Sequence, residues 1–218
     1  MARFICFANQ KGGVGKTTLT ALCANALSSP PFNHSVCVVD ADRQKSFSKA
    51  RSIDEKITSK IPYKVVEMTS SEVVKNIDSL EEFDFVFVDV QGKIDDGLNI
   101  KQQDNAKILL LSDFIFIPFV SGSFGTDASI DFLKHLLTLR EVKPSLMVFG
   151  VFNMFQVRAK ESKALLDEMK VISRVFNIDF LRAPLSNLSV YRNVDTVTSL
   201  YAKDNFKLFF DEFYKMIK

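Results

Sequence analysis

The run ANQKGGVGKTT, residues 8–18, gathers glycine, lysine and threonine at a spacing suited to the chemistry of phosphate groups. Gly12, Gly13 and Gly15 allow a tight turn whose successive N–H groups converge on an anion-sized nest, with Val14 between them. Lys16 brings a full positive charge to the terminal phosphates of a nucleotide, and Thr17 a hydroxyl placed for magnesium. The usual spacing, G-x-x-x-x-G-K-[ST], needs a glycine where this chain has Gln10. Next to Gln10 stands a second lysine, Lys11. Phosphoryl transfer also needs carboxylates opposite the loop, at the ends of neighbouring strands. Asp40 closes SVCVVD and Asp89 closes FDFVFVD, and Asp42 lies just past Asp40, where an attacking water could be held.

These residues work only if strands and helices bring them together, and the hydrophobic pattern supplies both. Arg3–Ala8 reads as a strand and Lys16–Leu27 as a helix, so the glycine loop joins a strand to a helix, with the helix dipole aimed at the phosphates. Strands are also expected over Ser35–Asp40, Tyr63–Met68, Phe83–Asp89, Phe114–Val120 and Leu146–Phe152, with a short extended piece near Ile178–Ala183. Helices are expected over Gln44–Arg51, Ser71–Leu80, Asp127–Leu139, Lys160–Phe176 and Ala202–Ile217. Continuous apolar strands alternating with helices predict an α/β fold: a doubly wound, mostly parallel sheet flanked by helices. Nothing resembles a linker or repeat, so residues 1–218 are expected to form one domain.

Composition narrows the classes. The chain is 47% hydrophobic and 25% charged, ordinary for a globular protein, and its 21 phenylalanines are read as core packing. Cys6, Cys23 and Cys37 have no spacing suited to zinc or an iron–sulfur cluster and are expected to be buried free thiols. The first apolar stretch runs into the glycine loop rather than a cleavage site, and no apolar run approaches membrane-spanning length. A cytoplasmic location is expected. The net charge of +2 is uneven: residues 1–60 carry 9 basic and 4 acidic side chains, residues 61–150 carry 8 and 14, and residues 151–218 carry 11 and 8. Ends that meet in space could form a basic patch.

KGGVGKTT, followed by VVDADRQ and then FVFVDVQG, resembles the deviant Walker A class of P-loop NTPases. Within it the chain is most similar to ParA-type partition ATPases, particularly the short ParF-like kind. The second motif departs from the family's D-x-D-P-Q in having Arg43 for proline, while Gln44 is kept. The resemblance implies a slow, magnesium-dependent ATPase that dimerises around ATP. Lys16 would bind phosphates within its own subunit, and Lys11 would reach the partner's nucleotide. Thr17 would ligate Mg2+ and Thr18 would meet the α-phosphate. Asp42 would position the attacking water, and Asp40 and Asp89 would hold the metal's waters. Asn153, in GVFNMF, resembles the position that touches adenine, with the loop around Pro184 bordering the base. The run DVQG, residues 89–92, resembles a γ-phosphate-sensing DxxG.

The family also implies partners: nonspecific DNA at the nucleoid, and a ParB-like or centromere-binding protein. Basic candidates for DNA are Arg182, Arg192, Lys203 and Lys207. The alternative is a MinD-like ATPase acting at a membrane or protein assembly, through the stripe Phe206, Phe209, Phe210, Phe213, Tyr214 and Ile217. The charges beside that stripe mix lysines with Asp204, Asp211 and Glu212, so packing on the sheet is the preferred expectation. A third reading, a ligase or reductase on the same scaffold, lacks the cysteines of an iron protein and any dedicated small-molecule pocket.

Overall fold

A computed structural model of the chain describes residues 1–91, 100–121 and 123–218. Along the chain come β1 (Arg3–Phe7), α1 (Lys16–Leu27), β2 (Val36–Asp40), α2 (Ser46–Ile57), β3 (Lys64–Glu67), α3 (Ser70–Lys75), α4 (Ile77–Leu80) and β4 (Phe85–Asp89). Then follow α5 (Ile100–Leu111), β5 (Phe114–Phe119), α6 (Ser123–Val142), β6 (Met147–Phe152), α7 (Lys160–Phe176), β7 (Asp179–Phe180), α8 (Ser189–Arg192) and α9 (Asp204–Ile217). Every residue of β2, β4 and β5 is buried, as strands covered on both faces must be.

The seven strands form one sheet in the order β3-β2-β4-β1-β5-β6-β7, with every pairing parallel. The chain starts on β1, moves out to β2 and β3, returns to β4 beside β1, and then crosses to β5 on the other side. Such a reversal opens a crevice at the carboxyl ends of the central strands. The glycine loop leaves β1 there, and Asp40 and Asp89 end adjacent strands as register partners.

Alternate strand residues feed two cores. Phe4, Cys6, Val86, Val88, Ile115 and Ile117 face one, closed by α5, α6 and α7. Ile5, Phe7, Phe85, Phe87, Phe114 and Phe116 face the other, closed by α1 and α9, which is where the phenylalanine excess goes. Phe206, Phe209, Phe210, Phe213 and Ile217 of α9 are all fully buried, and the Phe213 ring lies 4.9 Å from Phe116 and 5.8 Å from Phe7. Burial of each such side chain stabilises by about 1.5–3 kcal/mol. The stripe of the last helix is therefore core and not a membrane face. Among the described residues no helix is long and apolar enough to cross a membrane. The three cysteines are free and buried.

Several boundaries differ from expectation. α2 begins at Ser46 because residues 42–45 form a turn: the Gln44 N–H donates to Asp42 Oδ1 and the Lys45 N–H to the Asp42 carbonyl, with Lys45 at φ 51°. Residues 71–80 are not one helix; α3 starts on a capping box of Thr69 and Glu72 and stops at Asn76, whose side chain donates to the Glu72 carbonyl. Helices α5 and α8 were not anticipated.

Candidate phosphate-binding site

The loop takes the shape its glycines permit. Gly13 sits at φ 75° and Gly15 at φ 90°, in the region that side chains with a Cβ rarely enter. Helix α1 has neither a side-chain cap nor an acidic residue in its first turn, so its N-terminal N–H groups remain open to an anion. The loop is braced from below. Asn153, just past β6 and buried, donates its Nδ2–H to the Val14 carbonyl at 2.8 Å. Lys16 is only 9% exposed, and its ammonium donates to the Lys11 carbonyl at 3.2 Å. Burial lowers the Lys16 pKa, opposed by the attraction of Asp89. A lysine folded back onto its own loop is loaded for an incoming phosphate.

The carboxylates gather beside it. Thr17 Oγ1 donates to Asp89 Oδ2 at 2.9 Å, while Asp89 Oδ1 is buried without a hydrogen-bonding partner among the described residues. Burial pushes the Asp89 pKa up to about 7, with repulsion from Asp40 and Asp42 adding and the Thr17 bond and Lys16 opposing. Asp40, fully buried, accepts from the Ser48 N–H at 2.9 Å and the Asp42 N–H at 3.2 Å, which fixes the start of α2 and the Asp42 turn. Cys6 lies beneath Asp89, and burial together with that carboxylate raises its pKa, so the thiol is inert.

An orphaned carboxylate oxygen beside a hydroxyl suits a hard dication. Among the described residues no three His, Cys, Asp or Glu side chains could hold a metal by themselves. A magnesium ion here would take Thr17, reach Asp89 directly or through water, and complete its shell with water and substrate phosphates, as that ion ordinarily does.

A cavity of about 520 Å³ opens above the loop, the size of a nucleotide pocket. Of the expected residues, Gly12, Gly13, Gly15, Lys16, Thr17, Thr18, Asp42 and Asn153 line it. Val14, Asp40 and Asp89 support it from behind. Pro184 is not in the wall; the four residues after it are, and the Pro184 carbonyl accepts from the Asn205 side chain. Lys11 is half-buried and also outside the wall, its ammonium without a hydrogen-bonding or ionic partner among the described residues.

The basic candidates lie on three segments, after β7, in α8 and at the start of α9. Arg192 is on the cavity wall with Nε donating to Asn187 Oδ1 at 3.0 Å. Lys203 caps the N-terminus of α9 and Lys207 lies in its first turn; Lys207 pairs with Asp211 at 2.7 Å and lies over the Tyr201 ring. Arg182 is exposed, its main-chain N–H bound to Glu212. Missed by sequence reasoning were Gln44, Gln91, Met154 and Tyr191, all on the wall. The two glutamines could have been found, since each stands two residues after a motif aspartate. Gly92, the last residue of DVQG, lies outside the described residues.

Among curated protein sequences none matches the chain. Solved structures are similar over almost its whole length. A plasmid partition protein from Borrelia burgdorferi shares 20% identity, with 99% of each chain covered and a TM-score of 0.67. The ATP complex of a McdA variant from Cyanothece shares 14%, covering 100% of this chain and 97% of that one, with a TM-score of 0.68. MinD from Aquifex aeolicus shares 13%, covering 99% and 97%, with a TM-score of 0.66. At these identities they establish the fold. The family model of the CobQ/CobB/MinD/ParA nucleotide binding domain matches residues 5–192, which takes in the glycine loop, all three aspartates and the cavity wall. With that match over most of its length, the chain belongs to the CobQ/CobB/MinD/ParA nucleotide-binding family.

Proposed function

We propose that this protein is a ParA-type ATPase that dimerises around ATP, hydrolyses it slowly and uses the cycle to partition DNA with a ParB-like or centromere-binding partner. The observation that carries the reading is Lys11: a second loop lysine, outside its own cavity wall and with no ionic partner among the described residues, beside a complete phosphate nest. A cation delivered to a neighbouring subunit's phosphates stabilises charge that develops in transfer. It also links nucleotide to association, so ATP favours the dimer and hydrolysis releases it.

Placement supports the remaining roles. The loop N–H groups and Lys16 bind the phosphates, and Thr18 borders the same nest. Asp42 lines the cavity; its Oδ1 is taken by the Gln44 N–H, leaving Oδ2 to orient the attacking water. Bound magnesium would neutralise phosphate charge at Thr17 and Asp89. Asn153 and the loop after Pro184 form the end of the cavity where a base would lie. Arg182, Lys203 and Lys207 offer basic groups to DNA, and Arg192 does so only from the cavity rim.

Co-sedimentation decides between DNA and membrane. DNA should pellet the protein with ATP but not with ADP, and binding should fall steeply with salt as phosphate counterions are released. ATP-dependent binding to liposomes with none to DNA would overturn the partition reading in favour of a MinD-like one.

A further inference from the structure

Asn9, two residues past the end of β1, is tied into the fold more tightly than a turn requires. Asn9 is 3% exposed and uses both ends of its amide. Its Oδ1 accepts the Lys11 N–H at 3.0 Å, while Nδ2 donates to the Pro118 carbonyl at 2.9 Å and the Ser129 hydroxyl at 2.7 Å. Those two partners lie 109 and 120 residues away, on β5 and α6.

The ladder explains the asparagine. The Ala8 N–H donates to the Phe116 carbonyl, and the next β5 carbonyl facing β1 is that of Pro118. The main chain has by then turned into the loop, so the Asn9 side chain supplies the missing donor. No other side chain but glutamine offers two N–H donors and a carbonyl acceptor on one planar group. Aspartate would keep the bond to Lys11 and lose both donations; leucine would lose all three.

The Lys11 peptide is held on both sides: its N–H by Asn9 and its carbonyl by the Lys16 ammonium. A phosphate in the nest recruits Lys16 and competes for that second bond. Asn9 is then the remaining hold on the Lys11 backbone among the described residues. We infer that Asn9 is a positioning residue for Lys11, fixing through β5 and α6 the direction in which that lysine leaves its own subunit. The inference rests on Lys11 acting on a partner's nucleotide. Asn9 itself is not on the cavity wall.

The test is a double-mutant cycle of Asn9→Ala and Lys11→Ala. Phosphate release, equilibrium ATP affinity and ATP-dependent dimerisation on a sizing column are read for each variant. Asn9→Ala should lower kcat about 10- to 100-fold, as loss of positioning typically does. It should weaken the dimer while changing the ATP affinity of the monomer, measured at protein concentrations too low for dimerisation, less than about 3-fold, since the nest and Lys16 remain. In the Lys11→Ala background the same change should have no further effect, because the residue it positions is gone. Losses that multiply, a fall in affinity parallel to kcat, or normal turnover of Asn9→Ala would each overturn the inference. If Asn9→Ala does not fold, Ser129→Ala, which removes one Asn9 partner and no loop atom, decides by the same split. Normal turnover of Lys11→Ala would sink both this role and the reading of Lys11. An inactive Lys11→Ala beside a normal Asn9→Ala would sink this role alone.

Discussion

Replacing Gly15 by alanine perturbs the loop at the point where backbone and bracing side chain meet. Gly15 holds φ 90° and ψ 22°, and a left-handed conformation costs an L-residue about 1–2 kcal/mol. A Cβ there would also collide with Asn153 Nδ2, forcing that side chain off the Val14 carbonyl. Losing a buried hydrogen bond and leaving its partners unsatisfied costs about 1–3 kcal/mol more. Gly15→Ala should therefore destabilise by about 2–5 kcal/mol in urea unfolding and weaken ATP binding. In an Asn153→Ala background the collision is gone and only the backbone cost, about 1–2 kcal/mol, should remain. A Gly15→Ala protein within about 0.5 kcal/mol of the parent, or one whose cost is the same in both backgrounds, would refute this account of the loop.

Three further predictions concern the carboxylates and the framework. Asp42→Ala should bind ATP and accumulate as a dimer with turnover nearly abolished; a monomer on the sizing column with ATP would make Asp42 a structural residue. Asp89 carries a pKa of about 7 in the folded chain against an ordinary 3.8. Between those values the folded state holds the extra proton, so nucleotide-free protein should lose stability from this group as pH rises through that window. Thermal melts of the parent and Asp89→Asn at both ends of the window should show a steeper decline in the parent, and parallel profiles would contradict the shift. Arg51 is buried and donates to the Tyr63 carbonyl and to the Thr196 carbonyl and hydroxyl. Arg51→Ala strands those acceptors and should cost about 2–4 kcal/mol in urea unfolding; a loss under about 1 kcal/mol would show that water replaces it.

The chemistry-bearing part of the sequence was largely legible, because it is local. The loop, the two strand-end aspartates and the bounds of α1 and α7 follow from spacing and period, which neighbours in sequence set. What was not legible depends on distant packing. Helix α5 runs through polar residues after Ile100 and ends in ILLL, a run that by itself fits a strand as well as a helix turn. The four residues of α8 are too few to show a period. Arg192 looked like any surface cation until the fold set it on the cavity wall beside Asn187. Asn9 gave no signal, since the partners that explain it are more than a hundred residues away.

The central claim is that Lys11 works on a neighbour's nucleotide, and mixing two inactive variants tests it most directly. Lys11→Ala keeps Lys16 and the nest but delivers nothing to its partner. Lys16→Ala has a crippled nest yet still delivers Lys11. If the lysine acts across the interface, a mixture of the two contains heterodimers with one complete site, and phosphate release should rise well above the sum of the separate rates. A mixture that turns over no faster than that sum, with heterodimers verified by sizing, would place Lys11 within its own subunit and contradict the account.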